Sequence, residues 1–320
     1  MKIAVIGSGI WGTSLALVSG RANNDVLIYS RDKFISDDIN NNHKNSSYLP
    51  EIIIPSSIKA TNNLAEVLNS DIIIISIPAQ NVRQICSDLK ELKLSKNTIL
   101  MICSKGIEQN SLKLMSQVAE EILPLNKISI LSGPNFALPV AQDLPAITSV
   151  SSKDIELSNM LAKNLKNINF RIYPNCDIIG TQVCGSVKNV LAIASGIATG
   201  MKLGENAKAA IISRGIVEIN NLSIAMGGKT ETLLSPAGIG DIHLTCSSSA
   251  SRNTSFGIAL ASNEAPENCL VEGFFTCKSI NSLAIKLGIS MPICQAVYKI
   301  THEHASAKDT IKELLNRPSN

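Results

Sequence analysis

The stretch Lys2–Gly20, KIAVIGSGIWGTSLALVSG, decides the fold. KIAVIG is a short β-rich run that ends on glycine, and Gly7, Gly9 and Gly12 stand in G-x-G-x-x-G spacing. TSLALVSG then has helical composition, and a second β-rich run, DVLIYS, begins at Asp25. The glycines therefore lie between a strand and a helix inside one βαβ unit, the context in which this motif is specific for a dinucleotide. Gly7 permits the tight turn, Gly9 lets the backbone approach a pyrophosphate, and Gly12 lets helix and strand pack closely. Free N–H groups at the helix start, with the helix dipole, favour the anion.

The end of the second strand reads YSRD, with Ser30 and Arg31 ahead of Asp32. NAD-specific folds place an acidic side chain there to bond the ribose 2′-hydroxyl. Arg31 instead suits a 2′-phosphate or the adenine face. The expected cofactor is NADP(H) or NAD(H), with the balance toward NADP(H).

Further strands are expected at Asp71–Pro78, which is apolar as a central parallel strand should be, at Thr98–Cys103 and at Ile128–Pro134, with a helix near Asn81–Leu92. The sheet is expected to continue through Ala146–Val150 and Asn169–Pro174. Ligands in open α/β sheets sit beyond the carboxyl ends of the strands, where Pro78, Lys105 and Gly133–Asn135 fall. After about Gly180 the strand runs vanish, and Thr181–Ala198 and Ala207–Ala225 have helical length and spacing. The predicted architecture is an α/β N-terminal Rossmann-type doubly wound sheet over residues 1–179. An all-α C-terminal domain over residues 180–320 is expected to carry the chemistry.

Composition narrows the function class. With 45% hydrophobic and 17% charged residues, a sizeable packed core is expected and disorder is not. A net charge of +3 and 3% aromatics give no basis for a nucleic-acid partner. The eight cysteines include no CxxC pair, so they read as small core residues in a reducing compartment. His302 and His304 flank Glu303, a pattern better suited to a solvated helix face than to a metal, and no metal site is expected. The N-terminus lacks signal-peptide character, and apolar runs such as Ile72–Ile75 are too short to span a bilayer. A cytoplasmic protein without integral membrane association is expected. MGGKT, Met226–Thr230, mimics the end of a phosphate-binding loop, but Ser223 stands where its first glycine would be, so that reading is rejected.

One residue is out of place. SVKNVLAIA, Ser186–Ala194, sets Lys188 and Asn189 in a segment fit for a core. A buried ammonium is costly unless it is paired or its pKa falls. The plain alternative is a lysine facing solvent from an amphipathic helix. SSSASRNTSFG, Ser247–Gly257, is a hydroxyl-rich cluster that could cap a helix, or bind a phosphate through Ser251, Arg252, Asn253 and the helix N-terminus.

Together these residues resemble bacterial NAD(P)-dependent glycerol-3-phosphate dehydrogenase along nearly the whole chain. The resemblance rests on GSGIWGTSLA, YLPEIIIPSSI, SKGIE (Ser104–Glu108), LSGPNFA (Leu131–Ala137), GSVKNVLAIASGI, NAKAAIISRGIVEI, GIGDIHLTCSSSASRN and VEG (Val271–Gly273). It implies reversible hydride transfer between NAD(P)H and dihydroxyacetone phosphate, giving sn-glycerol 3-phosphate for phospholipid synthesis. It also implies roles. Gly7, Gly9, Ile10, Trp11, Gly12, Arg31, Lys105, Ala137, Arg252, Leu270 and Glu272 become cofactor contacts. Lys105, Gly133, Asn135, Lys188, Asp241, Ser251, Arg252 and Asn253 become the substrate set, with Lys188 the proton acceptor. Leu138-Pro139 departs from the Lys-Glu common in the family, and a proline removes a backbone donor.

Burial suits Lys188 to this role, because it draws the ammonium pKa toward neutrality. Asp241 would hold Lys188 or a substrate hydroxyl, and Arg252 would neutralise the phosphate. Two other classes stay open at this level: a dehydrogenase of 2-hydroxy or sugar acids built on the same architecture, and a nucleotide sensor without turnover. A homodimer is compatible with the apolar helical half.

Overall fold

The computed structural model describes residues 1–262 and 271–316. The chain divides into two compact units, Met1–Ser104 with Met115–Ile178, and Lys105–Leu114 with Ile179–Asn320. The short segment Lys105–Leu114 thus belongs with the helical part of the chain.

The first unit runs β1 (Lys2–Ile6), α1 (Ile10–Arg21), β2 (Asp25–Tyr29), α2 (Lys33–Asn42), β3 (Ile58–Thr61), β4 (Ile72–Ile75) and α3 (Val82–Glu91). It continues through β5 (Ile99–Ile102), α4 (Met115–Ile122), β6 (Ile128–Ser132), α5 (Ala137–Ala141), β7 (Ala146–Ser152), α6 (Ile155–Leu165) and β8 (Phe170–Asn175). The sheet order is β3-β2-β1-β4-β5-β6-β7-β8. The first six strands follow the doubly wound dinucleotide-binding order, with the strand order reversing between β1 and β4. Every residue of β4 is fully buried, because helices cover both faces of a parallel sheet and leave no solvated side.

Two features were not legible in the sequence. IKAT in β3 alternates apolar and polar over only four residues, with a small alanine at its second apolar position, too little to announce a strand, yet it pairs in parallel with β2. β7 runs antiparallel to β6, with Ser132 opposite Ser149. Pro139 sits in the first turn of α5, where an N–H would have no helical acceptor, so its missing donor costs the helix nothing.

The second unit is helical: α7 (Ile178–Gly200), α8 (Glu205–Ala225), α9 (Asp241–Ser247), α10 (Arg252–Ala261), α11 (Glu272–Leu287), α12 (Pro292–His302) and α13 (Ala307–Leu315). α7 is its axis. Val183, Val187, Val190 and Leu191 on α7 pack with Ile219 and Leu222 of α8, Ile242 and Cys246 of α9, and Cys277 and Ile280 of α11. The helix expected over Thr181–Ala198 extends further at both ends. Its 23 residues are long and apolar enough to cross a membrane, and 89% of the most apolar window is buried inside the protein, which makes it a core helix. α7 and α10 touch backbone to backbone: a Cβ on Gly196 would lie 2.1 Å from the Thr254 carbonyl oxygen, and one on Gly257 would lie 2.2 Å from that of Ile193.

His302 departs from the expected solvated face. It is half-buried and stacks on Phe274 at 4.3 Å and on Tyr298 at 5.0 Å between ring centroids. The MGGKT stretch follows the C-terminus of α8, with Gly227 at φ +91°, so a helix precedes the glycines where a phosphate loop would need a strand.

Candidate functional site

In the first unit the glycine turn has the form the motif requires. Gly7 adopts φ +111°, and a Cβ there would lie 2.3 Å from the Ser76 carbonyl oxygen. A Cβ on Gly12 would lie 1.9 Å from the Gly7 carbonyl oxygen. Gly9 differs: a Cβ there would meet nothing within 4 Å. Two glycines are therefore fixed by the fold, while the third faces open space at the N-terminus of α1. A diphosphate fits there, since the first N–H groups of a helix have no helical acceptor.

Asn45 holds this turn and was not anticipated. Fully buried, it donates from Nδ2 to the Ser8 carbonyl at 2.8 Å and to Thr13 Oγ1 at 2.9 Å. It stands in an asparagine- and serine-rich run, where nothing in the letters separates it from its neighbours. At the end of β2, Ser30 is buried and accepts from Ser8 Oγ at 2.8 Å. Arg31 is exposed and makes no ion pair among the described residues. Asp32 is committed to capping α2, accepting from the Phe34 N–H at 2.9 Å. Ile10 is exposed at the first position of α1, whereas Trp11 is half-buried against the core. The Ala137 carbonyl accepts from Ser14 Oγ at 2.8 Å.

Gly133 and Asn135 form the turn after β6. A Cβ on Gly133 would lie 2.6 Å from the Thr148 Cα, so only glycine fits. Asn135 donates from Nδ2 to the Ile147 carbonyl at 3.0 Å, while its Oδ1 is buried without a partner.

The second unit brings Lys105, Lys188 and Asp241 together. Lys188 is 7% exposed. Its Nζ donates to Asp241 Oδ1 at 2.6 Å and to Thr245 Oγ1 at 2.6 Å. Lys105 Nζ takes the other Asp241 oxygen at 2.5 Å. One carboxylate therefore serves two ammonium groups. Burial, with help from Lys105, lowers the Lys188 pKa to about 8 against the opposing pull of Asp241. Burial works to raise the pKa of Asp241, but Lys105 and Lys188 outweigh it and hold the carboxyl below its ordinary value. Thr245, like Asn45, was not anticipated. It lies one turn after Asp241 on α9 and shares its face, a spacing that could have found it.

The residues expected to bind substrate at the start of α10 are consecutive. Ser251 caps the helix, accepting from the Thr254 N–H at 3.4 Å. Arg252 is exposed, with no ion pair among the described residues. Asn253 donates to Asn189 Oδ1 at 3.1 Å and accepts from the Gly273 N–H at 2.9 Å, tying the start of α10 to α7 and α11. Glu272 is the first residue of α11. Leu270 lies outside the described residues.

Comparison with known proteins gives the family. Residues 2–158 match the NAD-dependent glycerol-3-phosphate dehydrogenase N-terminus, and residues 177–312 match the corresponding C-terminus. This chain belongs to the NAD-dependent glycerol-3-phosphate dehydrogenase family. Among the similar members of that family, the glycerol-3-phosphate dehydrogenase [NAD(P)+] of Caulobacter vibrioides is 41% identical, over 99% of this chain and 97% of its own. The crystal structure of the Coxiella burnetii glycerol-3-phosphate dehydrogenase superposes with a TM-score of 0.93 at 36% identity, covering 99% of each chain. The Saccharomyces cerevisiae glycerol-3-phosphate dehydrogenase structure gives 0.86 at 27% identity, also over 99% of each.

Proposed function

We propose that the chain is an NAD(P)-dependent sn-glycerol-3-phosphate dehydrogenase. It interconverts dihydroxyacetone phosphate and sn-glycerol 3-phosphate, the backbone precursor of phospholipids. The observation that carries this reading is the buried amine of Lys188, held by Asp241 and Thr245 with a pKa of about 8.

A nicotinamide held by the first unit would supply the hydride acceptor for C2 of the alcohol, or the hydride donor for the ketone. The chain must then handle the proton. The Thr245 hydroxyl gives its own hydrogen to the Asp241 carbonyl at 2.7 Å, so toward Lys188 it can only accept. Asp241, ionised, also only accepts. Both N–H groups of a neutral Lys188 are thereby occupied, and the lone pair is left for the hydroxyl proton of the alcohol. In the reverse direction the ammonium keeps a third N–H for the ketone oxygen. Positioned acid–base catalysis of this kind contributes on the order of 10²–10⁴ in rate.

Arg252, with Ser251, Asn253 and the α10 N-terminus, takes the phosphate; Lys105 and Asp241 take the polyol oxygens. Gly133 and Asn135 stay in the proposed substrate set, supported by the unpartnered Oδ1 of Asn135. The glycine turn, Ile10, Trp11, Arg31 and Ala137 are assigned to the cofactor, with Arg252 and Glu272 from the second unit. Exposed Arg31 and the engaged carboxylate of Asp32 favour NADP(H). Cys86, Cys246, Cys277 and Cys294 are buried thiols, in keeping with a cytoplasmic enzyme. A homodimer is supported by Val217 and Ile224, seven residues apart on α8 and 45% and 50% exposed.

The decisive experiment is an absorbance assay at the nicotinamide band, with dihydroxyacetone phosphate and NADPH or NADH in turn. Oxidation of either cofactor that needs the ketone supports the reading. No oxidation of either rejects it.

A further inference from the structure

α9 carries Asp241 and Thr245, the two groups that hold Lys188. It is only seven residues long, so the carbonyls of its last turn have no donor within the helix. Two side chains from neighbouring helices supply donors. Ser195 Oγ of α7 donates to the Cys246 carbonyl at 2.7 Å, and Thr254 Oγ1 of α10 donates to the Thr245 carbonyl at 2.8 Å. All four residues, Ser195, Thr245, Cys246 and Thr254, are buried. The helix that presents the counter-ion is thus pinned at its far end to the helix of the lysine and to the helix of the arginine.

Thr254 has a second attachment. Its backbone N–H donates to Ser251 Oγ, closing the turn that displays Arg252 and Asn253. Its carbonyl faces Gly196 of α7, where no Cβ would fit. Backbone contact at that point prevents α10 from sliding along α7.

We propose that Thr254 is a positioning residue that fixes the phosphate-binding turn of α10 relative to the α9 platform supporting Lys188. It touches neither substrate nor cofactor. It sets where the anion hook stands with respect to the base, and so favours a phosphorylated three-carbon substrate over an unphosphorylated one. The proposal rests on the dehydrogenase reading given above.

The test uses Thr254→Val, which keeps the shape and removes the donor, with Thr254→Ser as the conservative rescue. Inorganic phosphate binding is measured by titration calorimetry, with Arg252→Ala marking the site-specific heat, and turnover is measured with dihydroxyacetone phosphate and with dihydroxyacetone. In Thr254→Val, phosphate affinity falls about tenfold and KM for dihydroxyacetone phosphate rises by the same factor, roughly what one net hydrogen bond carries. Meanwhile kcat changes less than about threefold, kcat/KM for dihydroxyacetone stays within about twofold, and Thr254→Ser recovers most of the loss. Wild-type protein that binds no phosphate, a valine variant that binds it as well as wild type, or equal losses on both substrates overturns the positioning role. Phosphate affinity that falls in the valine variant of a chain unable to reduce dihydroxyacetone phosphate overturns the activity and leaves the positioning role standing.

Discussion

Asp241→Asn removes one negative charge from between two ammonium groups and leaves the shape unchanged. Lys188 then loses its attraction to the carboxylate and keeps the two effects that lower its pKa, burial and the Lys105 charge. At about 4 Å between charge centres and an effective dielectric near 20, the lost attraction is about 4 kcal/mol. At 1.36 kcal/mol per unit this sets a ceiling of about three units, and an opposite charge at this range usually accounts for about one to three. The Lys188 pKa should therefore fall from about 8 to roughly 5–7. Oxidation of glycerol 3-phosphate needs the neutral amine, so wild-type kcat should rise with pH through about 8. In the variant this limb moves to lower pH, and the plateau drops on the order of 10²-fold because the amine is no longer aimed. The stability cost stays below the about 3–5 kcal/mol of a stranded buried charge. The reason is that Lys188 can shed its proton near neutral pH, while the Lys105 side chain, 22% exposed, can turn to water. The assay is kcat against pH from 5 to 10, with the melting temperature as control. A limb that stays near 8, or moves to higher pH, refutes the shared-carboxylate account.

The remaining predictions use the same site. Lys188→Ala should keep cofactor affinity and lose 10²–10⁴ in kcat; turnover within a few-fold of wild type in a stopped-flow assay would remove Lys188 as the base. Arg252→Ala should raise KM for dihydroxyacetone phosphate by at least about tenfold, the value of one charge-assisted bond, without lowering the melting temperature; an unchanged KM takes Arg252 out of the site. Gly12→Ala should cost at least about 2 kcal/mol in denaturant unfolding, as overpacking does, because its Cβ would meet the Gly7 carbonyl oxygen at 1.9 Å. Gly9→Ala, with nothing within 4 Å, should fold normally and weaken NADPH binding in a fluorescence titration. Equal stability losses at both glycines would contradict the distinction between packing and ligand space.

The letters themselves determined a great deal here. Glycine spacing between a β-rich run and a helix marks the nucleotide turn for local reasons: Gly7 must take a positive φ, a Cβ on Gly12 would meet the Gly7 carbonyl, and Gly9 stays open; the Ser76 carbonyl that also bars a Cβ at Gly7 comes from tertiary structure. A run such as Ile72–Ile75 states that both faces of the sheet are covered. A lysine inside an apolar helix states that its charge must be paired or its pKa lowered. None of these statements needs a partner distant in sequence. Others do. Thr245, Asn45 and Ser195 are ordinary polar letters whose roles arise only when α9 meets α7, or when the loop after α2 reaches the glycine turn. The direction of β7, the stacking of His302 on Phe274 and Tyr298, and the sharing of one carboxylate by Lys105 and Lys188 across more than 130 residues also belong to tertiary structure. Local pattern encodes which surface a residue must bury and which backbone conformation it must accept; which donor then finds which acceptor is decided by packing.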